Sequence, residues 1–331
     1  MDKFVFLPVL FLLLTACVSD TEQRSGIATP EPVDAVVQAE ATAPDGPIVS
    51  FSFDDGITKD ILDYRFEEWN GMLLAALREA DIKATFFVTG RNKLTDKGKY
   101  LLESWDSLNH QIANHTFTHP YLNAEDVSVE AFRLELIKTD AVINGYKGYT
   151  KLFRFPYLKE GGTEEKVSGF RGVLDEYGYQ NGYVTIDASD WYINAEFIKA
   201  MRSHAEADSI VDQFRAFYIQ HILERATFYE ALGIRVTGRH IPHTLLLHHN
   251  LTSALFLPSL IEAFETIGWR VIDSPTALAD TLYNQVPPAE FAGESLIYAL
   301  AMEAGYGDEL RYPAEDSRYE HPKMVEAGLI Q

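Results

Sequence analysis

Cysteine is almost absent: Cys17 is the only one in 331 residues. No intrachain disulfide can therefore form, and stability must come from a conventional core. Basic residues are also scarce. Against 49 Asp and Glu stand 28 Lys and Arg, for a formal net charge of -21. That shortage argues against nucleic acid or anionic membrane surfaces as partners, because binding phosphates takes the opposite excess. Surplus acid keeps the chain soluble and says little about a reaction. The apolar run Phe4 to Leu14 is too short to span a bilayer as a stable anchor. No short-period repeat occurs. What is present is a hydrophobic fraction of 47%, ample for one large domain or two modest ones.

The N-terminus has its own logic. Lys3 precedes the apolar run, and Leu14-Thr15-Ala16-Cys17 follows, the pattern of an export signal. It resembles the lipobox of bacterial lipoproteins. That resemblance implies removal of residues 1–16 and lipidation of Cys17. The membrane would then be a partner through the lipid anchor only. Val18, where an Asp would signal retention, resembles sorting to the outer membrane, facing the periplasm. Residues 17–47 are rich in Thr, Ala, Pro, Glu and Asp. They cannot bury enough surface to fold and read as a flexible tether.

From Ile48 the pattern alternates strand and helix. Ile48 to Phe53 reads as a buried strand, Ile61 to Ala80 as an amphipathic helix, and Ala84 to Thr89 as a second strand. Short strands follow at Gln111–Ala113, Leu152–Phe155, Tyr183–Ile186, Thr244–Leu247 and Trp269–Ile272. Helices are predicted over Val129–Tyr146, Val167–Tyr177, Ser209–Leu232 and Leu255–Ile267. Such alternation predicts an α/β fold, with parallel strands and helices outside, over residues 48–280. Residues 281–331 read as a C-terminal appendage with a helix at Ser295–Glu303, wrapping the domain and carrying no assigned role.

The polar oddities fall where strands end, which in an α/β barrel is the rim that holds active sites. Asp54-Asp55-Gly56 closes the first strand with two carboxylates aimed in different directions. That arrangement suits a metal ligand beside a general base. His115 and His119, four apart, can grip one cation from a helical turn or tight loop. The ligand types alone do not choose among zinc, cobalt, nickel or iron. Arg154, inside an apolar strand, needs a carboxylate partner. Pro156 holds the backbone before Tyr157, whose N–H could face a ligand. Asp187-Ala188-Ser189-Asp190-Trp191 offers carboxylates and an indole able to wall a sugar pocket, or merely caps a helix. His248 and His249 follow a buried strand, and spacing does not separate them.

These five motifs, in this order between Ile48 and Asp280, resemble the polysaccharide deacetylases (the NodB-homology, carbohydrate esterase family 4 enzymes). The resemblance implies a distorted (β/α) barrel of the NodB type. It implies one divalent metal, zinc first and cobalt or nickel as alternatives, on Asp55, His115 and His119. Asp54 would be the general base and His248 the general acid. Arg154 would orient Asp54, and Asp190, with Asp187 as the rival, would tune His248. The Tyr157 N–H would meet the oxyanion, while Trp191 and Leu246 would line the acetyl pocket. One departure is visible: the family's fifth motif commonly reads His-Asp, whereas here His248 is followed by His249 and Asn250. The implied substrate is an N-acetylated, GlcNAc-containing carbohydrate: chitooligosaccharide, peptidoglycan or exported polysaccharide. The rivals are hydrolysis of O-acetyl esters or small non-sugar amides on the same scaffold, and a non-catalytic glycan-binding lipoprotein.

Overall fold

The structure is a computed structural model describing residues 45–203 and 207–331. Cys17, the signal over 1–16 and the tether up to residue 44 lie outside the described residues. The described residues fall in one compact unit.

Its centre is β1 (Ile48–Asp55), buried except at Asp55. The two serines in this apolar run do not stay unpaired. Ser50 Oγ donates to the His243 carbonyl at 3.0 Å and Ser52 Oγ to that of Leu245 at 3.2 Å. After β1 come α1 (Phe66–Glu79), β2 (Thr85–Val88), α2 (Asp96–Ser107), β3 (Gln111–Asn114), α3 (Val129–Ile143) and β4 (Tyr149–Phe153). The middle of the chain forms α4 (Glu164–Tyr177), β5 (Gln180–Asn181), β6 (Ile186–Asp187), α5 (Asp190–Ser203) and α6 (Ala207–Thr237). Then follow β7 (Pro242–His248), α7 (Leu251–Thr266), β8 (Arg270–Val271), α8 (Ser274–Leu278), α9 (Leu296–Glu303) and α10 (Glu320–Glu326).

The strands pair in the order β5-β4-β3-β2-β1-β7-β6, with β8 also on β1, and every pairing is parallel. β5 and β6 do not pair with each other among the described residues, so the curled sheet is an incomplete barrel. The parallel α/β architecture is the one the alternating pattern predicts. The register sets Asp54 beside His248 of β7, and Asp55 beside Val88 of β2. Strand ends that are far apart in sequence thus share one edge.

Differences from the predicted elements have local causes. The strand predicted at Tyr183–Ile186 shrinks to Ile186–Asp187. The chain leaves β4 at Gly182, whose N–H bonds the Phe153 carbonyl, and where a β-carbon would sit 2.4 Å from the Phe87 ring. α2 escaped notice because it is mostly polar, yet Leu101, Leu102 and Trp105 bury one face. Trp105 stacks on Phe86 with centroids 4.0 Å apart. α7 begins four residues before its predicted start because Asn250 caps it, accepting the Ser253 N–H at 2.9 Å. The segment 281–331 is more than an appendage. Leu282, Tyr283, Leu296, Ile297, Leu300, Leu310 and Met324 belong to the same core as β1 and α7.

Candidate active site

Five strand ends deliver their polar residues into one cavity of about 480 Å³. Its wall contains Asp54, Asp55, His115, His119, Tyr157, Leu158, Trp191, His248 and Glu315. Asp55 takes a positive φ of 75° and Gly56 one of 70°, so the chain turns sharply just after the two acids part. A β-carbon on Gly56 would collide with the Lys93 side chain at 2.8 Å. Lys93 is buried beneath, donating to the backbone carbonyls of Asp55 at 2.9 Å and Thr89 at 3.1 Å. Burial brings its ammonium down to about 7, against the opposing pull of Asp55.

The histidine motif is a tight loop rather than a helical turn. Thr116 and His119 both adopt positive φ, 66° and 60°, a strain that persists only where the surroundings over-determine it. Here the surroundings are Glu135 of α3 and Asn114 of β3. Glu135 accepts the N–H of Phe117 at 2.8 Å and of Thr118 at 2.6 Å, and Asn114 accepts that of Thr116 at 3.0 Å. The loop presents both imidazoles to Asp55: His119 Nε2 lies 3.6 Å and His115 Nε2 3.9 Å from Asp55 Oδ1. The three ligand atoms lie within 4.8 Å of one another. His115 Nδ1 is engaged by the Arg154 carbonyl at 2.8 Å, which leaves Nε2 for a cation. Burial lowers both imidazoles to about 4, so they are neutral ligands at neutral pH. Two nitrogens and a carboxylate so placed fit a divalent cation.

Asp54 faces the same space from deeper in the sheet and is 2% exposed. Arg154 meets it, Nη1 to Oδ1 at 2.6 Å, and also donates to Ser52 Oγ and the Gly182 carbonyl. The guanidinium lies 3.8 Å over the Phe87 ring, so this fully buried arginine satisfies both its charge and its flat face. Burial raises the Asp54 pKa, and Arg154 and His248 oppose the rise.

Across the cavity, His248 Nδ1 pairs with Asp190 Oδ1 at 2.7 Å. Asp190 Oδ2 accepts the His248 backbone N–H at 3.0 Å and Asn250 Nδ2 at 3.1 Å. Burial works against a charged ring, but Asp190, together with Glu315 and Asp55, lifts the His248 pKa well above the ordinary range. Asp187 is engaged elsewhere, accepting the N–H groups of Ser189 and Glu315. His249 turns into the core, bonding Asn70 at 3.0 Å and packing 4.4 Å from Trp69. Its presence after His248 thus leaves the Asp190 contact untouched, and Asn250 adds to it.

Tyr157 adopts φ 56° and ψ 19° directly after Pro156, at the cavity edge. Its ring packs on His119 at 4.6 Å and Tyr121 at 5.7 Å, an aromatic wall. Trp191 also lines the cavity, and its Nε1 has no hydrogen-bond partner among the described residues. Leu246 does not line it. It is 1% exposed in a small cluster with Leu158, Val184 and Ala314, and Leu158 is the member that faces the cavity. Side chains alternate along β7, so Leu246 points to the opposite side from Leu247 and stays beneath the floor. Glu315 was not anticipated, since nothing in the polar C-terminal stretch marks one acid over its neighbours.

Residues 41–181 match the family described as "Polysaccharide deacetylase". A peptidoglycan-N-acetylglucosamine deacetylase of Bacillus cereus is 34% identical over 110 residues, 33% of this chain and 36% of the relative. Chitin deacetylase 1 of Cryptococcus neoformans is 29% identical over 185 residues, 52% of this chain and 35% of the relative. The chain thus spans about a third of the length of these curated relatives. Among solved structures, a CE4 family pseudoenzyme from Bacillus anthracis superposes with a TM-score of 0.50 at 19% identity, over 71% of this chain and 66% of its own. That likeness is one of fold.

Proposed function

We propose that this chain, whose residues 41–181 match the polysaccharide deacetylase family, is a metal-dependent hydrolase of N-acetylated, GlcNAc-containing carbohydrate that releases acetate. Chitooligosaccharide, peptidoglycan and exported polysaccharide are the candidate substrates. One observation carries the reading: the Asp55, His115 and His119 ligand group lies between an Asp54–Arg154 pair and a His248–Asp190 pair in one cavity.

A divalent cation bound there, zinc first and cobalt or nickel as alternatives, would polarise the acetyl carbonyl and acidify a bound water. Asp54, held by Arg154, accepts the proton of the attacking water. Burial keeps its basicity above that of a surface aspartate. His248, with Nδ1 committed to Asp190, presents Nε2 as the proton donor to the departing nitrogen. Without that proton an amine anion would have to leave. The Tyr157 N–H meets the oxyanion, a donor contribution of roughly 3–4 kcal/mol. Trp191 walls the sugar. The products are acetate and a free amine. On the same reading, lipidation at Cys17 tethers the domain to the cell envelope, facing the periplasm. Loss of fatty-acid labelling in Cys17→Ser tests that part.

The test of the chemistry is acetate release from chitooligosaccharide, peptidoglycan and acetylated xylan, with and without chelator. Release should stop on chelation and drop by about 100-fold to 10,000-fold in Asp54→Asn, with metal affinity retained. Failure to turn over any of them with the cation bound would refute it. Release from xylan alone would move the assignment to ester hydrolysis.

A further inference from the structure

A second cavity, of about 530 Å³, adjoins the first, and both have Asp55 and His119 in their walls. Three cations line it: Lys59, Arg91 and Arg202, all exposed. None of them has an ion-pair partner among the described residues. Its two acids are both engaged elsewhere. Asp55 belongs to the ligand group, and Asp60 accepts Lys97 Nζ at 3.1 Å and the Phe66 N–H at 2.9 Å. In a chain of net charge -21, this arm carries uncompensated positive charge.

The other arm has no lysine or arginine among its described wall residues. Glu315 lines it beside Asp54 and His248, and burial raises the Glu315 pKa well above the ordinary carboxylate range. The exposed positive charge of the cleft therefore lies on the side of Lys59, Arg91 and Arg202, where it favours an anionic ligand over a neutral one.

Resting on the deacetylase reading, we propose that the cationic arm is a subsite for a carboxylate on the sugar next to the one that loses its acetyl group. The preferred substrate is then an acidic N-acetylated glycan rather than a neutral one. The two arms meet at Asp55 and His119. A saccharide with its acetyl group over those ligands extends its neighbouring ring towards Lys59, Arg91 and Arg202. The carboxylate can be that of a uronic acid or of a lactyl ether, and the chemistry of recognition is the same for both.

The experiment compares three probes: neutral chitooligosaccharide, an oligomer alternating N-acetylglucosamine with glucuronate, and peptide-free glycan strands bearing lactyl ethers. Equilibrium binding is measured by calorimetry on full-length Asp54→Asn protein, and acetate release on the wild type. Each is repeated in the background Lys59→Ser, Arg91→Ser, Arg202→Ser, with near-ultraviolet circular dichroism as the check of folding. At low salt at least one acidic probe should bind about tenfold tighter than the neutral one, as three exposed charge contacts allow. The ratio should fall towards one in 1 M salt, where screening is short-ranged, and in the triple variant. The better acidic probe identifies the source of the carboxylate. Equal affinity for all three probes in the parent protein, or a preference that survives the triple substitution, would overturn the proposal. The two readings also separate: a charge-dependent binding ratio without acetate release refutes deacetylation and leaves the subsite standing. Acetate release without any ratio does the reverse.

Discussion

In the proposed mechanism His248 owes its protonation to its acidic neighbours, Asp190 first and then Glu315 and Asp55. The ring must carry a proton to donate one, and burial alone would remove it. Asp190 supplies the opposing charge at 2.7 Å. In Asp190→Asn that support is lost and the ring deprotonates at lower pH. The alkaline limb of the kcat/KM profile should therefore move down by about one pH unit or more; an unmoved limb would remove Asp190 from this role. His110 offers a second titration, independent of the cavity. It is 1% exposed and its Nδ1 accepts the Ala84 N–H at 3.1 Å, which requires a neutral ring. Burial, and then Lys83, lower its pKa to about 4 from 6.5. Because the folded value is depressed, its stabilisation is fully present above pH 6.5 and is lost as the pH falls to 4. The loss amounts to about 3 kcal/mol. Urea unfolding at pH 7 and pH 4 should show a loss in the wild type, to which His115 and His119 also contribute, and a loss smaller by about the His110 share in His110→Gln.

At the scale of elements, the ligand loop after β3 shows how much of a site lies outside its ligands. Glu135, on α3, fixes the backbone of Phe117 and Thr118 between the two histidines. No spacing rule connects residue 135 to residues 115 and 119. Glu135→Ala should weaken metal affinity by about tenfold without touching a ligand, as competition with a chromogenic chelator would measure. Unchanged affinity would mean that the positive φ values at Thr116 and His119 are held by other contacts. The five motifs themselves were legible because each couples a hydrophobic strand to residues that are costly to bury. Leu246 was misread because hydrophobicity does not tell a cavity wall from the layer beneath it.

For the molecule as a whole, the C-terminal segment is the main revision. Arg225 of α6 pairs with Glu320 of α10, and both are buried. The guanidinium also lies 3.3 Å over Tyr312. His221 Nε2 lies 3.3 Å from Glu320 and 3.0 Å from the Ala188 carbonyl. These contacts tie residues 312–320 to the Asp187–Asp190 stretch and so hold Glu315 at the cavity. Replacing one partner leaves a buried charge uncompensated, so Glu320→Gln should cost about 3 kcal/mol of stability. A denaturant midpoint within error of the wild type would contradict it. Among the described residues no helix is long and apolar enough to cross a membrane.

By itself the sequence determined the parallel α/β class, because the hydrophobic period alternates between strand and helix. It also pointed to Asp54, Asp55, Arg154 and His248, which interrupt or end apolar runs, to His115 and His119 by their spacing, and to Asp187 and Asp190 as rivals within one motif. Only the tertiary structure decided which of Asp187 and Asp190 meets His248, that His249 packs into the core, and that Glu315 and a cationic arm flank the ligand group. Those outcomes depend on register and on contacts across as many as 179 positions, as between Asn70 and His249. Local pattern carries no information about such contacts; the folded backbone creates them.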